Sequence, residues 1–232
     1  MNKNIGCCIF SHEITKGMKS HGQIGLLRSS AKNKELLYYS IRSIQKYSQY
    51  HPIHLIIGFE EEKIKKNLTD YNMSINTIYN EEYDTKNYGY AFKLFLQNID
   101  NTYIDNVKGV LFILSNIVIK HLPKFNPKES WILTKKRYKT TQNYIGCTLQ
   151  DCKVNYMFYN IGESVWTDVF YLTSTDIKKI ISGIHNYYDH MFMFEIINTM
   201  IEKQKIDIRT VTLDKISDIV KINGLKDKHK IK

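Results

Sequence analysis

Residues 35–47 read Glu35-Leu36-Leu37-Tyr38-Tyr39-Ser40-Ile41-Arg42-Ser43-Ile44-Gln45-Lys46-Tyr47. After a polar break come Ile53-His54-Leu55-Ile56-Ile57-Gly58-Phe59 and then Glu60-Glu61-Glu62-Lys63-Ile64-Lys65-Lys66. Leu36, Leu37, Ile41, Ile44 and Tyr47 recur at helical spacing, which predicts a helix with one apolar face. Ile53 to Phe59 is a buried strand closed by Gly58. The glutamates at the start of the next segment and the lysines after them suit the dipole of a short helix. Helix, strand and helix in immediate succession are the signature of an α/β layer structure.

Outward from that stretch the alternation continues. Ile5 to Phe10 is a continuous apolar run, as expected of a strand covered on both faces, and a polar, glycine-containing loop follows from Ser11 to about Gly25. Downstream, Ile75 to Tyr79 reads as a third strand. Tyr88 to Ile99 reads as a helix with Ala91, Leu94, Phe95 and Ile99 on one side. Val110 to Val118 is a fourth, central strand. The expected fold is an α/β sandwich around a mixed, mainly parallel sheet. The second half carries strands near Ser130–Lys135, Asn155–Asn160 and Trp166–Leu172, then helices over Thr175–Ile184 and His190–Lys203. Strands at Asp207–Leu213 and Asp218–Ile222 follow, and the whole set reads as a mixed-sheet cap on the same core. At 232 residues a single domain over 1–232 is expected.

Hydrophobic residues at 43% and charged residues at 24% exclude wholesale disorder. No run approaches the roughly 18 apolar residues of a membrane helix. The opening MNKNIGCCIF has too short an apolar stretch and no small-residue cleavage pattern, so it reads as a first strand and not as a signal peptide. Cys7 and Cys8 point to opposite faces of that strand, and Cys147 and Cys152 fall outside zinc spacings. Buried, reduced thiols in a cytoplasmic protein are expected.

The net charge of +10 raises nucleic acid as a partner. Yet only four of the 33 basic residues are Arg, and base-reading surfaces favour the Arg fork. The abundance of Lys, Ile, Asn and Tyr is that of an AT-rich coding sequence, pointing to a viral or phage source. Lys135-Lys136-Arg137 with Lys139, and Lys226, Lys228, Lys230 and Lys232, read first as solvated surface.

In order and in local wording the chain resembles the sugar-nucleotide and phosphocholine nucleotidyltransferases, which share the GT-A fold. The family's opening strand, glycine-rich loop and Pro-Lys-x-Leu-Leu segment correspond to Cys8-Ile9-Phe10-Ser11, Gly17-Met18-Lys19-Ser20 and Gln23-Ile24-Gly25-Leu26-Leu27. Residues 35–64 are the closest match. Asn80-Glu81-Glu82-Tyr83, with Thr85 and Asn87, is similar to the family's Asn-x-x-Tyr-x-x-Thr-Asn.

The resemblance implies attack of a sugar or alcohol phosphate on the α-phosphorus of a nucleoside triphosphate, with pyrophosphate leaving. That chemistry relies on positioning and charge neutralisation. In the family a lysine and magnesium supply the positive charge, and two aspartates hold the metal. The corresponding positions here are Ile24, Asn116 and Asn223, which implies a catalytically degenerate protein serving as a binding or structural component. The alternatives are an active magnesium-dependent transferase and a basic nucleic-acid-binding accessory protein. In the active case Lys19 would replace the lysine, and Asp214, Asp218, Asp227, Glu163 or Asp168 would supply a carboxylate. Nucleotide-contacting candidates are Ser11, Gly17, Lys19, Asn80 and Asn87. His12 and Glu13 read as a hydrogen-bonded surface pair, and His185, Asp189 and His190 as a poor metal set. Met191-Phe192-Met193-Phe194 reads as core or as a subunit contact.

Overall fold

A computed structural model describes residues 5–13, 23–29, 34–47, 53–137, 143–183 and 186–222, the side chains of 186 and 187 excepted. The first strand, β1 (Gly6–Ser11), is buried along its whole length, because layers of side chains cover both faces. It is followed by α1 (Leu36–Gln45), β2 (Ile53–Ile57), α2 (Glu61–Asp70), β3 (Asn76–Tyr79), α3 (Tyr88–Asn98) and α4 (Asn101–Asn106). Next come β4 (Gly109–Leu114), β5 (Ile117–Ile119), β6 (Ser130–Lys136), β7 (Ile145–Gln150), β8 (Lys153–Tyr159) and β9 (Ser164–Thr173). The remaining elements are α5 (Ser174–Ser182), α6 (Met193–Glu202), β10 (Ile208–Thr212) and β11 (Ile219–Lys221).

Nine strands form one sheet in the order β3-β2-β1-β4-β9-β6-β10-β8-β7, and β7 also reaches β9. The first four are parallel, as the alternating helices require. Beyond β4 the pairings are antiparallel except β10 with β6. Cys8, Phe10, Phe112 and Phe170 pack under α3, α5 and α6 on one face. Cys7, Ile9, Ile113 and Tyr171 pack with α1 and α2 on the other. The alternation of Cys7 and Cys8 between the two layers is the period-two pleat of a strand.

Three local expectations need correction. The apolar run Val110–Val118 is two strands: the chain turns at Ser115-Asn116, and β5 leaves the main sheet to pair with β11. The turn is fixed by Ser115 N–H donating to Phe10 O and by Ser40 Oγ donating to Ser115 O. β7 and α4 were not expected, and the last helix starts at Met193 because residues 186–190 form a 3-10 turn. Finally, Cys152 is exposed: Asp151 and Cys152 both take positive φ, 53° and 61°, and form the two-residue turn between β7 and β8. Cys7, Cys8 and Cys147 are buried, and all four thiols are unbridged.

Candidate functional site

The parallel strands β1 and β4 lie side by side, and connections leave them in opposite directions across the sheet. Such a switch point opens a crevice beyond the strand ends, where α/β proteins hold ligands. Here it is a cleft of about 240 Å³. β1 and its continuation supply Ser11, His12 and Glu13, and the end of β4 supplies Ser115 and Asn116. The 3-10 turn Ile24–Leu26 closes one side with Gln23 and Ile24, α3 contributes Tyr88, and β11 contributes Lys221.

That turn sits against the strand ends because residue 25 has no side chain. A Cβ on Gly25 would lie 2.9 Å from Ser115 Oγ and 3.1 Å from Ser11 Oγ. Gln23 completes the contact: Ser11 Oγ donates to Gln23 Oε1 at 3.1 Å, and Gln23 Nε2 donates to Ser11 O. Ser11 therefore stands at the cleft with its hydroxyl already oriented. Ile24 lines the cleft and packs on the small cluster of Leu27, Leu36 and Ile222. The position presents hydrocarbon, not charge.

Asn116 is held from two directions. Its Nδ2 donates to Ile222 O at 2.8 Å, and its carbonyl accepts from Ile222 N at 3.0 Å. Because the carbonyl of Ile222 can only accept, the amide orientation is determined. Oδ1 is left buried and without a partner among the described residues. This pairing follows from the antiparallel register of β11 on β5, Lys221 opposite Ile117. It brings together parts of the chain more than a hundred residues apart.

His12 departs from the expected surface pair. It is 1% exposed, and neither ring nitrogen has a partner among the described residues. Its ring meets Tyr88 edge-on at 5.0 Å. Burial lowers its pKa to about 3, so the imidazole is neutral at physiological pH. Glu13 bonds instead to the Tyr88 hydroxyl. Burial first, then Glu13, then the charge of Asp168 keep that phenol protonated well beyond its ordinary range.

Asp168 lies on β9 where the register with β6 slips between Ile132 and Thr134. Its φ of 61° is unusual for a residue other than glycine and falls at this bulge. There it forms an ion pair with Lys221 Nζ. Asp168 also borders a second, apolar pocket of about 160 Å³, which shares Phe10, Tyr88 and Leu114 with the first. Tyr159, Trp166, Phe170, Phe192 and Phe194 wall this neighbour. The Met191–Phe194 segment thus contributes an aromatic wall as well as core.

Asn80 and Asn87 do not line the cleft. Asn80 accepts from Glu82 N at 3.0 Å, closing a turn, and Asn87 precedes α3 with its amide on His190 O. Asp189 is paired with Lys93 at 2.9 Å and Lys86 at 3.6 Å. Glu163 is exposed away from the cleft, and Asp218 accepts from Lys215 N at 3.2 Å in its own turn. Gly17, Lys19, Asn223, Asp227, His185, Lys139 and the lysines from 226 onward lie outside the described residues. Gln23, Tyr88 and Lys221 were not foreseen as cleft residues. Only Gln23, beside Ile24 in the quoted segment, carried a signal in the sequence.

Among the described residues of the cleft the donors do not form a magnesium set. Asn116 has one neutral oxygen, Glu13 is the one carboxylate among the described lining residues, Lys221 brings a positive charge to the same cleft, and Asp168 is engaged with Lys221. Among the described residues no group of three or more His, Cys, Asp or Glu side chains could hold a metal. No helix of the described residues is long and apolar enough to cross a membrane.

No family model and no curated protein sequence matches the chain. Solved structures do. The CTP:phosphocholine cytidylyltransferase of Streptococcus pneumoniae superposes with a TM-score of 0.74 over 98% of this chain and 97% of its own, at 15% identity. The inositol-1-phosphate CTP transferase of T. maritima gives 0.72 over 97% and 92%, at 10% identity. A nucleoside-diphosphate-sugar pyrophosphorylase from Vibrio cholerae gives 0.71 over 96% and 97%, at 10% identity. The chain has the nucleotidyltransferase fold along nearly its whole length.

Proposed function

We propose that this protein is a nucleotidyltransferase-like binding component that has kept the nucleotide cleft and lost the transfer chemistry, its residues 1–232 forming one domain. One observation carries the reading. Where the fold would present a metal-binding carboxylate at the end of β4, Asn116 presents a neutral amide, and its nitrogen is already committed to Ile222 O. A metal supplies several kcal/mol of transition-state stabilisation in such transfers, so its loss costs on the order of 10³-fold in rate or more. Ile24 removes a second charge from the phosphate side.

The neighbouring aromatic pocket suits the second group of the ligand. Its ring faces favour an apolar or cationic head such as an amino alcohol over a sugar, whose hydroxyls would need polar partners. The solved cytidylyltransferase for phosphocholine has a name consistent with that preference.

An active transferase is the competing reading, favoured by the two carboxylates Glu13 and Asp168 near the cleft. Both have partners already, Tyr88 and Lys221. The test is pyrophosphate release from each of the four ribonucleoside triphosphates with phosphocholine and sugar phosphates, in magnesium. The wild type is expected to be silent and yet to gain thermal stability from one of the nucleotides. Substituting Ile24→Lys, Asn116→Asp and Asn223→Asp together should create a magnesium-dependent rise in Tm. Wild-type turnover would overturn the reading. Salt-sensitive binding of DNA, with no nucleotide effect, would move the assignment to a nucleic-acid accessory role.

A further inference from the structure

Among the described residues the cleft has no group of three or more ligands for a divalent ion, yet a cation is already fixed within it. Lys221 extends from β11, one residue before Ile222, whose backbone pairs with Asn116. Lys221 lines the cleft together with Ser11, Ile24 and Asn116, and its ammonium is paired with Asp168. Resting on the nucleotide reading above, we propose that Lys221 takes the place of the metal. Its ammonium is the cation that meets a phosphate group of the bound nucleotide, and binding needs no divalent ion.

Two features make this lysine suited to the task. An exposed lysine on a free strand end sweeps a large volume, and holding it still costs rotamer entropy. Asp168 removes that freedom in advance: the bulged strand β9 turns its carboxylate to Nζ, so the charge is already in position. The Lys221 side chain is nevertheless 39% exposed, and an ammonium carries three N–H donors, of which the ion pair with Asp168 does not require all.

The substitution also explains how binding and transfer separate. An ammonium attracts phosphate oxygens as a point charge. It does not ligate attacking and leaving oxygens together, as a metal does in displacement at phosphorus. A cleft built on Lys221 holds a nucleotide without activating it.

The experiment is titration calorimetry of the full chain with the four ribonucleoside triphosphates and with inorganic pyrophosphate, each in EDTA and in magnesium. The nucleotide that binds is expected to do so equally well in both buffers. Lys221→Met should weaken it about tenfold or more, and Lys221→Arg should restore most of that loss. Circular dichroism and Tm of both variants verify that the sheet persists, and the double variant Lys221→Met/Asp168→Asn controls for the carboxylate left alone. Binding that requires magnesium overturns this inference and leaves the nucleotide reading standing. Unchanged affinity in Lys221→Met also overturns it. If the wild type binds none of the ligands in either buffer, the nucleotide reading itself falls.

Discussion

Two histidines in this fold are buried among aromatic rings and kept neutral. His12 packs on Tyr88. His54 is 6% exposed, lies 4.7 Å from the Tyr103 ring and 5.5 Å from Phe95, and has an unpartnered Nδ1 among the described residues. Burial lowers His12 to about 3. It lowers His54 to about 4 despite the opposing pull of Asp100. In the unfolded chain both titrate near their ordinary value of 6.5. Between that value and the lowered one the unfolded state binds more protons, so stability is fully present above 6.5 and falls as pH drops. Each histidine contributes a slope of about 1.4 kcal/mol per pH unit in that window, flattening for His54 near pH 4 and for His12 near pH 3. Urea unfolding from pH 7 to pH 4.5 should therefore show a steep loss. The variant His54→Phe should reduce the slope by roughly 1.4 kcal/mol per unit without touching the cleft. An unchanged slope would mean that the ring is solvated.

Among the elements, β8 pairs with β7 along one edge and is met by a side chain on the other. It pairs with β10 only at Lys153–Arg209, so Met157 lies past the end of that neighbour. Asn198 on α6 fills in: its Nδ2 donates to Met157 O at 2.8 Å, and Met157 N donates to Asn198 Oδ1 at 2.9 Å. The amide imitates the edge of a missing strand. Asn198→Leu should destabilise the protein by about 2–4 kcal/mol, because two buried backbone groups lose their partners. Denaturant titration measures this, and hydrogen exchange at Met157 should rise most. The same element scale sets what the sequence could reveal. Helix and strand order were legible because Leu36, Ile41 and Ile44 keep a helical period and β1 and β2 are largely apolar runs, β2 interrupted only by His54. The division of β4 from β5 was not, since hydropathy carries no direction and the run continues across Ser115-Asn116. β7 was hidden because its turn uses Asp151-Cys152, with no Asn-Gly or Gly to mark positive φ. Lys221 and the buried His12 depend on pairings and layers that only the folded chain creates.

At the scale of the molecule, one sheet separates two apolar layers, and the tryptophans report on them separately. Trp131 belongs to the layer under α1 and α2, and Trp166 to the layer under α3, α5 and α6. If residues 1–232 behave as one domain, Trp131→Phe and Trp166→Phe variants, each with a single reporter, should unfold in urea at coincident midpoints matching the far-UV signal. Separate midpoints would divide the chain into two cooperative units. The sheet couples the layers through β9, which lies between β4 and β6 although it is made long after both.

The antiparallel seam of β5 with β11 has a consequence for biosynthesis. Asn116 emerges from the ribosome with its amide nitrogen on water and finds its protein partner only when residue 222 has followed. A nascent chain arrested before that point would carry much of the sheet but a crevice open on one side, completed only by one of the last-made described strands.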